Sequence, residues 1–272
     1  MIFRTIVDIE SPSFQIEPCE DILFVGSCFA DNIGKKFKEE GFNTLVNPYG
    51  VMYNPASVLH TIEKIDTSFQ TAIITLGTNH VYIDRNTDEI VDNCQKRPQS
   101  DFVEKELTTD ECESFLAEII EKLKAKNAEI KILFTVSPIR YAKYGYHRSQ
   151  LSKAALLLSI EQLLQKKATN IAYFPAYEIV NDELRDYRFY KPDMLHPNEQ
   201  AIEYIWERFV ETHFSNAAKT FLAEWKPVKT ALAHRPFSPE SQTYKDFKIK
   251  VIEKIKRLKE KYPNLNLEDL EI

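Results

Sequence analysis

The stretch DILFVGSCFADN, Asp21 to Asn32, changes its period in the middle. Ile22, Leu23, Phe24 and Val25 form an unbroken apolar run, the pattern of a strand buried on both faces. Gly26 ends the run. Phe29, Ile33 and Phe37 then recur every four residues, one face of a helix that Gly41 closes. A strand passing through one glycine into a helix is the opening unit of an α/β sheet. It also sets a hydroxyl, Ser27, beside a thiol, Cys28, at a strand's carboxyl end, where open parallel sheets bind ligands.

The same alternation recurs downstream. Ala72–Leu76, Ile130–Val136 and Ile171–Phe174 are short apolar runs ending in turn residues, and Asn43–Val46 is a weaker fifth strand. Cys112, Phe115, Leu116, Ile119, Ile120 and Leu123 mark one helix face, and Leu151–Leu164 is a second apolar-rich helix. A third, after Pro197, carries Ala201, Ile202, Ile205, Trp206, Phe209 and Val210 along one side. This alternation predicts a mostly parallel sheet covered on both faces, a three-layer α/β/α sandwich over residues 1–214. Beyond residue 215 the character changes. AHRPFSPES (233–241) reads as a linker, and KIKVIEKIKRLKEKY (248–262) as a charged helix with an apolar stripe of Val251, Ile252, Ile255 and Leu258. Residues 215–272 are therefore expected to form a helical extension packed on the same domain.

At 272 residues the chain can bury a full core, and 43% hydrophobic with 28% charged residues is an ordinary globular mixture. A net charge of -6 argues against general nucleic-acid binding, which needs a basic face to displace counterions. No run approaches the roughly 18 to 20 apolar residues of a spanning helix, so no membrane association is expected. MIFRTIVDIE at the start lacks the apolar stretch and cleavage motif of a secretory leader. Cys19, Cys28, Cys94 and Cys112 show no paired or zinc-type spacing, so reduced thiols and a cytoplasmic setting are expected. His60, His147, His213 and His234 lie in unrelated contexts, and no metal site is expected.

The turns that follow the strands hold a coherent chemical set. They carry the pair Ser27–Cys28, an amide at Asn79 in GTNH (77–80), and Asp193 with His196 in YKPDMLHP (190–197). Acyl transfer needs such a set: a nucleophile, a base, a carboxylate that orients the base, and donors for the oxyanion. RYAKYGYHRSQLSK (140–153) follows another strand end and mixes Arg140, Lys143, Arg148 and Lys153 with Tyr141, Tyr144 and Tyr146. It reads either as a rim gripping a sugar face or an anionic group, or as a solvated loop that starts a helix. Arg140, Tyr141 and His80 are the candidate substrate-binding residues, His80 as part of the wall. Arg185 and Arg188 could pair with nearby carboxylates and hold the His196 loop.

FVGSCFADN (24–32) matches the signature from which the GSCFA family takes its name, and the chain resembles that family and, through it, the SGNH (GDSL-like) hydrolases. The resemblance implies a flavodoxin-like α/β/α fold with a nucleophile–His–Asp triad. GTNH resembles the block whose Asn, here Asn79, helps form the oxyanion hole. DMLHPN (193–198) resembles the block supplying the last two triad members, Asp193 and His196, and Gly50 in NPYG (47–50) stands where a second-block glycine donates a backbone N–H. The opening block departs from the usual Gly-Asp-Ser. Aligned without a gap, Ser27 falls on the Asp position and Cys28 on the nucleophile. A thiol at a helix N-terminus favours Cys28, and Ser27 could cap that helix instead; both stay open as nucleophiles. The implied function is an acyl-ester hydrolase or an O-acyltransferase, acting on acetyl groups of a carbohydrate or related small molecule. No cofactor is expected, with acetyl-CoA as acyl donor in the transferase case. The reading from another class is a non-catalytic binding module on the same scaffold.

Overall fold

A computed structural model describes residues 4–94, 96–166 and 169–267. Strand β1 (Asp21–Gly26) lies between β2 (Asn43–Val46) and β3 (Thr71–Leu76); β7 (Lys131–Val136) and β8 (Ile171–Tyr173) extend the sheet beyond β3. All four pairings are parallel, and the order β2-β1-β3-β7-β8 is that of a flavodoxin-like sheet. The chain leaves β1 toward one edge and returns through β3 on the other side, so the switch point lies between the carboxyl ends of β1 and β3. The expected strand from Ile130 begins one residue later, and Phe174 falls just outside β8.

Alternation along each strand divides the core in two. Ile22, Phe24, Ile73 and Leu133 face one side, where α1 (Cys28–Glu39) and α6 (Glu199–His213) cover them. Leu23, Val25, Ile74 and Phe134 face the other, under α2 (Pro55–Lys64), α3 (Thr109–Lys126) and α4 (Tyr146–Gln165). These are the three layers expected. Ile22 to Val25 are fully buried, and each such side chain contributes about 1.5–3 kcal/mol relative to exposure. On the α1 side, Phe37 packs among Phe24, Trp206, Phe209 and Phe214, with ring centroids 5.0–5.6 Å away.

Three elements go beyond the expected ones. Helix α2 starts with Asn54 as cap and Pro55 in its first turn. A small antiparallel sheet of β4 (His80–Asp84), β5 (Ile90–Val91) and β6 (Phe102–Glu106) grows out of the GTNH turn. The one-turn α5 (Ala176–Glu178) follows β8. Beyond residue 215, α7 (Asn216–Leu232) and α8 (Gln242–Lys261) join the α1–α6 core through Phe221, Trp225, Val251 and Ile255. The Trp225 indole N–H donates to the Glu39 carbonyl at the end of α1 (3.0 Å), and Asn266 N–H donates to the Gly41 carbonyl (3.0 Å). Among the described residues, no helix is long and apolar enough to cross a membrane, and no cluster of metal-ligating side chains occurs.

Candidate active site

The β1–α1 turn is built around Gly26. Its φ is +145°, and a Cβ there would lie 2.0 Å from the Thr75 carbonyl oxygen of β3. Only glycine permits that approach. The same carbonyl accepts the Ser27 N–H (3.0 Å), which ties the β1 and β3 ends together. Asn47 braces the turn from the β2 side: its Oδ1 accepts the Gly26 N–H (2.9 Å) and its Nδ2 donates to Asp31 (2.6 Å).

Ser27 and Cys28 part company here. Ser27 is fully buried; its Oγ accepts the Phe29 N–H (3.2 Å) as the cap of α1 and pairs with the Thr75 hydroxyl (3.2 Å). Ser27 as nucleophile is therefore corrected: its hydroxyl is engaged by Phe29 and Thr75 and it is fully buried. Cys28, the first residue of α1, is half-buried with its Sγ 3.6 Å from His196 Nε2. Burial pushes the Cys28 thiol up and Asp31 adds to this, while its own N–H, Lys153 and the Tyr53 hydroxyl pull the other way. The resting group is a thiol, contrary to the raised thiolate character expected from the helix N-terminus alone. It requires a base.

His196 is that neighbour. Its Nδ1 lies 2.6 Å from Asp193 Oδ2, leaving Nε2 toward the sulfur. Asp193 Oδ1 accepts the Leu195 and His196 N–H groups (2.8 and 3.0 Å), and these bonds with the imidazole hold its carboxyl down to about 2. Carboxylate and imidazole thus come from one tight loop, with Met194 between them at φ +59°. Arg140 clamps this loop: its N–H donates to the Leu195 carbonyl (3.1 Å) and its Nη1 to the Met194 carbonyl (3.1 Å). Its guanidinium also stacks on Tyr146, 4.2 Å from the ring centroid. Arg188 pairs with Asp186 (3.6 Å), and its carbonyl accepts the Asn198 amide (2.7 Å) at the start of α6.

Other expected residues stand elsewhere. The Gly50 N–H donates to the Asn47 carbonyl (2.9 Å), so as an oxyanion donor Gly50 is corrected: the hydrogen is spent in a tight turn. One N–H of the Asn79 amide donates to the Leu107 carbonyl (2.7 Å), and the Asn79 backbone N–H donates to Ser152 Oγ (2.9 Å). His80 is buried, paired with Glu104 (3.0 Å) and covered by Tyr144 stacked at 3.8 Å, so it forms no exposed wall. Tyr141 lies beneath the rim. Its hydroxyl is buried without a partner, against Gly77 and beside the Tyr53 ring, edge to face at 5.9 Å.

Lys153, expected on the rim, is buried at 2% exposure. Its Nζ donates to the Gly77 and Ser137 carbonyls (2.6 and 2.7 Å) at the ends of β3 and β7, and burial lowers its pKa to about 7. Sequence placed Lys153 only in the rim stretch 140–153 and did not single out Tyr53, because a lysine in loop-like context reads as solvent-facing. The adjacent polar strand ends were the only signal.

A groove of about 850 Å³ beside Lys36, Trp206 and Lys226 lies on the α1–α6–α7 face and includes no member of the Cys28–His196–Asp193 chain. Beside the His196 loop, a hollow of about 260 Å³ is lined by Arg140, Gln150, Arg185, Tyr187 and Tyr190, among others.

The profile of the GSCFA family matches residues 21–72 and 66–209, and that of the GSCFA domain protein C-terminal domain matches 225–271. No curated protein sequence matches the chain. Solved structures similar to it include a catalytic mutant of an acetylxylan esterase from Geobacillus stearothermophilus, at 14% identity and TM-score 0.48, covering 74% of this chain and 98% of that one. A carbohydrate esterase family 3 protein from Talaromyces cellulolyticus is similar at 10% identity and TM-score 0.44, with 76% and 98% covered. A member of the lipolytic protein G-D-S-L family from Veillonella parvula is similar at 13% identity and TM-score 0.46, with 70% and 96% covered.

Proposed function

The chain belongs to the GSCFA family, and on that premise we propose that it is an acyl-transfer enzyme using Cys28 as nucleophile, His196 as base and Asp193 as orienting carboxylate. The observation that carries this reading is the unbroken contact from sulfur to imidazole to carboxylate, at 3.6 and 2.6 Å. His196 Nε2 takes the thiol proton as Cys28 Sγ attacks an ester or thioester carbonyl, and the carbonyl π pair moves onto oxygen. Collapse of that oxyanion expels the leaving group, which receives the proton from His196, and a thioester remains on Cys28. Water then gives hydrolysis and a sugar hydroxyl gives O-acyl transfer, with His196 again removing the attacking proton. Asp193 stays ionised and stabilises the imidazolium.

The substrate class proposed is a small ester, such as an acetylated carbohydrate, with acetyl-CoA as donor in the transferase case. The hollow beside the loop that carries His196, lined by Arg140 and Arg185 though not by Cys28 or His196, supports a polar group of the substrate reaching past the reacting centre. Intact-mass spectrometry after incubation with p-nitrophenyl acetate and with acetyl-CoA tests the reading. An acetyl adduct on Cys28, absent from Cys28→Ala, is expected; a protein unmodified by both donors would overturn it.

A further inference from the structure

One donor that the family resemblance assigns to the oxyanion is engaged elsewhere, the Gly50 N–H on the Asn47 carbonyl, and Asn79 gives one of its two amide hydrogens to the Leu107 carbonyl. The tetrahedral oxyanion formed on the way to the thioester, in a partly desolvated site, needs fixed donors where its negative charge forms. The Cys28 N–H supplies one, because the first N–H groups of a helix have no intrahelical partner. A second candidate donor stands at the neighbouring strand end.

Tyr141 follows the SPIR turn at the end of β7, and its hydroxyl is a buried group without a hydrogen-bond partner. Such a group costs about 1–3 kcal/mol, so where one persists a specific reason is expected. Its placement is tight. A Cβ on Gly77 would come within 2.3 Å of the hydroxyl oxygen, so the missing side chain of the GTNH block makes the room this oxygen occupies. The ring is fixed on several sides. Its backbone N–H donates to Ser149 Oγ (3.3 Å), Tyr53 and Tyr144 flank the ring, and the Lys153 ammonium lies 5.1 Å from its centroid. Gly77 lies two residues past Thr75, the register partner of Gly26, so the hydroxyl packed against Gly77 stands at the β1–β3 strand ends that carry the Cys28 turn, beside the Tyr53 ring.

We propose that the Tyr141 hydroxyl is an oxyanion donor of this site, standing in for the Gly50 N–H, with the buried Lys153 Nζ packed against its ring. The inference rests on the acyl-transfer reading above. The hydroxyl donates a hydrogen bond as the carbonyl oxygen becomes an oxyanion and keeps its proton throughout; no bond to it forms or breaks. Burial, with the nearby sulfur and Tyr53, raises the Tyr141 hydroxyl well above its ordinary range, which keeps it a donor at any working pH. Lys153 Nζ is held by the Gly77 and Ser137 carbonyls and, with its pKa lowered to about 7, adds a favourable field only in its protonated fraction.

The test is Tyr141→Phe, with two rates at Cys28 measured side by side. Acylation by p-nitrophenyl acetate passes through an oxyanion; alkylation by iodoacetamide displaces iodide and does not. The variant should acylate about 10²- to 10³-fold more slowly, as when an oxyanion donor is removed, with KM little changed. Its alkylation rate should stay within about twofold of the parent and its melting temperature should not fall, since the lost hydroxyl had no partner. Acylation at the parent rate would overturn the inference. So would a parallel fall of both rates, which would mark Tyr141 as structural support for Cys28. A parent protein that is alkylated at Cys28 but never acylated would overturn the proposed function, and this inference with it.

Discussion

Replacing Ser27 with alanine separates the two neighbouring nucleophile candidates. The Ser27 oxygen caps α1 by accepting the Phe29 N–H, and losing such a cap costs about 0.5–2 kcal/mol. The same change strips the Thr75 hydroxyl of its hydrogen-bonding neighbour in a fully buried place, adding part of the roughly 1–3 kcal/mol of an unsatisfied group. A total of about 2–3 kcal/mol follows. For a chain of this size each kcal/mol moves the melting temperature by about 2–4 °C, so a drop of about 4–12 °C is expected. Calorimetry measures that drop. At 20 °C, where the variant is still folded, the rate of Cys28 acylation by p-nitrophenyl acetate should stay within about fivefold of the parent, because the proposed catalytic contacts run through Cys28 and His196. The reasoning is refuted by a Ser27→Ala protein that melts like the parent yet cannot be acylated, above all if Cys28→Ala still can.

His196→Ala should slow acylation by about 10²-fold or more, typical of a lost general base, with little change in melting temperature because the ring is partly exposed. Asp193→Asn keeps an oxygen for the Leu195 and His196 N–H groups but loses the charge, and a drop of orders of magnitude in kcat with an intact fold is expected; a near-normal kcat would remove Asp193 from the triad. Alkylation of Cys28 should still be climbing above pH 8, since burial raises its thiol, and peptide mapping that finds a plateau below pH 7 would contradict this. Cys19 and Cys112, both pushed up to about 12, should lag behind it. His213 is buried neutral with its pKa lowered to about 4, so the unfolded chain takes up a proton first as pH falls. Its stabilising share is full above about pH 6.5 and lost between there and about pH 4, on the order of 3 kcal/mol. Melts of the parent should therefore fall more steeply over that window than those of His213→Gln; parallel curves would show the linkage lies elsewhere.

What sequence conveys about this fold follows from how each segment is buried. Strands β1, β3 and β7 are buried on both faces, so their apolar runs name them without help from neighbours. Strand β6 reads FVEKE and is exposed for most of its length; only pairing with β4 makes it a strand, and local composition cannot convey that. Helix α2 is buried almost all round from Pro55 to Ile62, which erases the polar face that a helical period needs, although Asn54-Pro55 was a legible start signal. For the site, the contact between Asp193 and His196 was legible because four consecutive residues of one loop, 193–196, carry it. Gly50 was not. Its spacing suits a donor, but the left-handed turn from Asn47 to Gly50 consumes the hydrogen, and nothing in four residues tells a free N–H from a bonded one. Lys153 failed for the opposite reason: a lysine announces solvent unless unpaired carbonyls wait for it, and those of Gly77 and Ser137 belong to two other segments.

The adjacent hydroxyl and thiol reduce to a matter of helix geometry. A cap residue has extended backbone, here φ -66° and ψ 172° at Ser27, and its side chain folds back over the first turn to meet the N–H two residues on. That direction leads under the helix, into contact with Thr75 of the neighbouring strand. The next residue is already helical, so its side chain leaves the turn on a different bearing and meets His196. For Ser27 to attack a substrate it would have to release Phe29, abandon Thr75 and rotate out of a fully buried position. Cys28 needs none of these movements. Its thiol, held neutral by burial, needs only the proton acceptor 3.6 Å away, and that acceptor is fixed by a loop whose own backbone hydrogens secure Asp193. The hydroxyl shapes the turn, and the shape of the turn delivers the thiol.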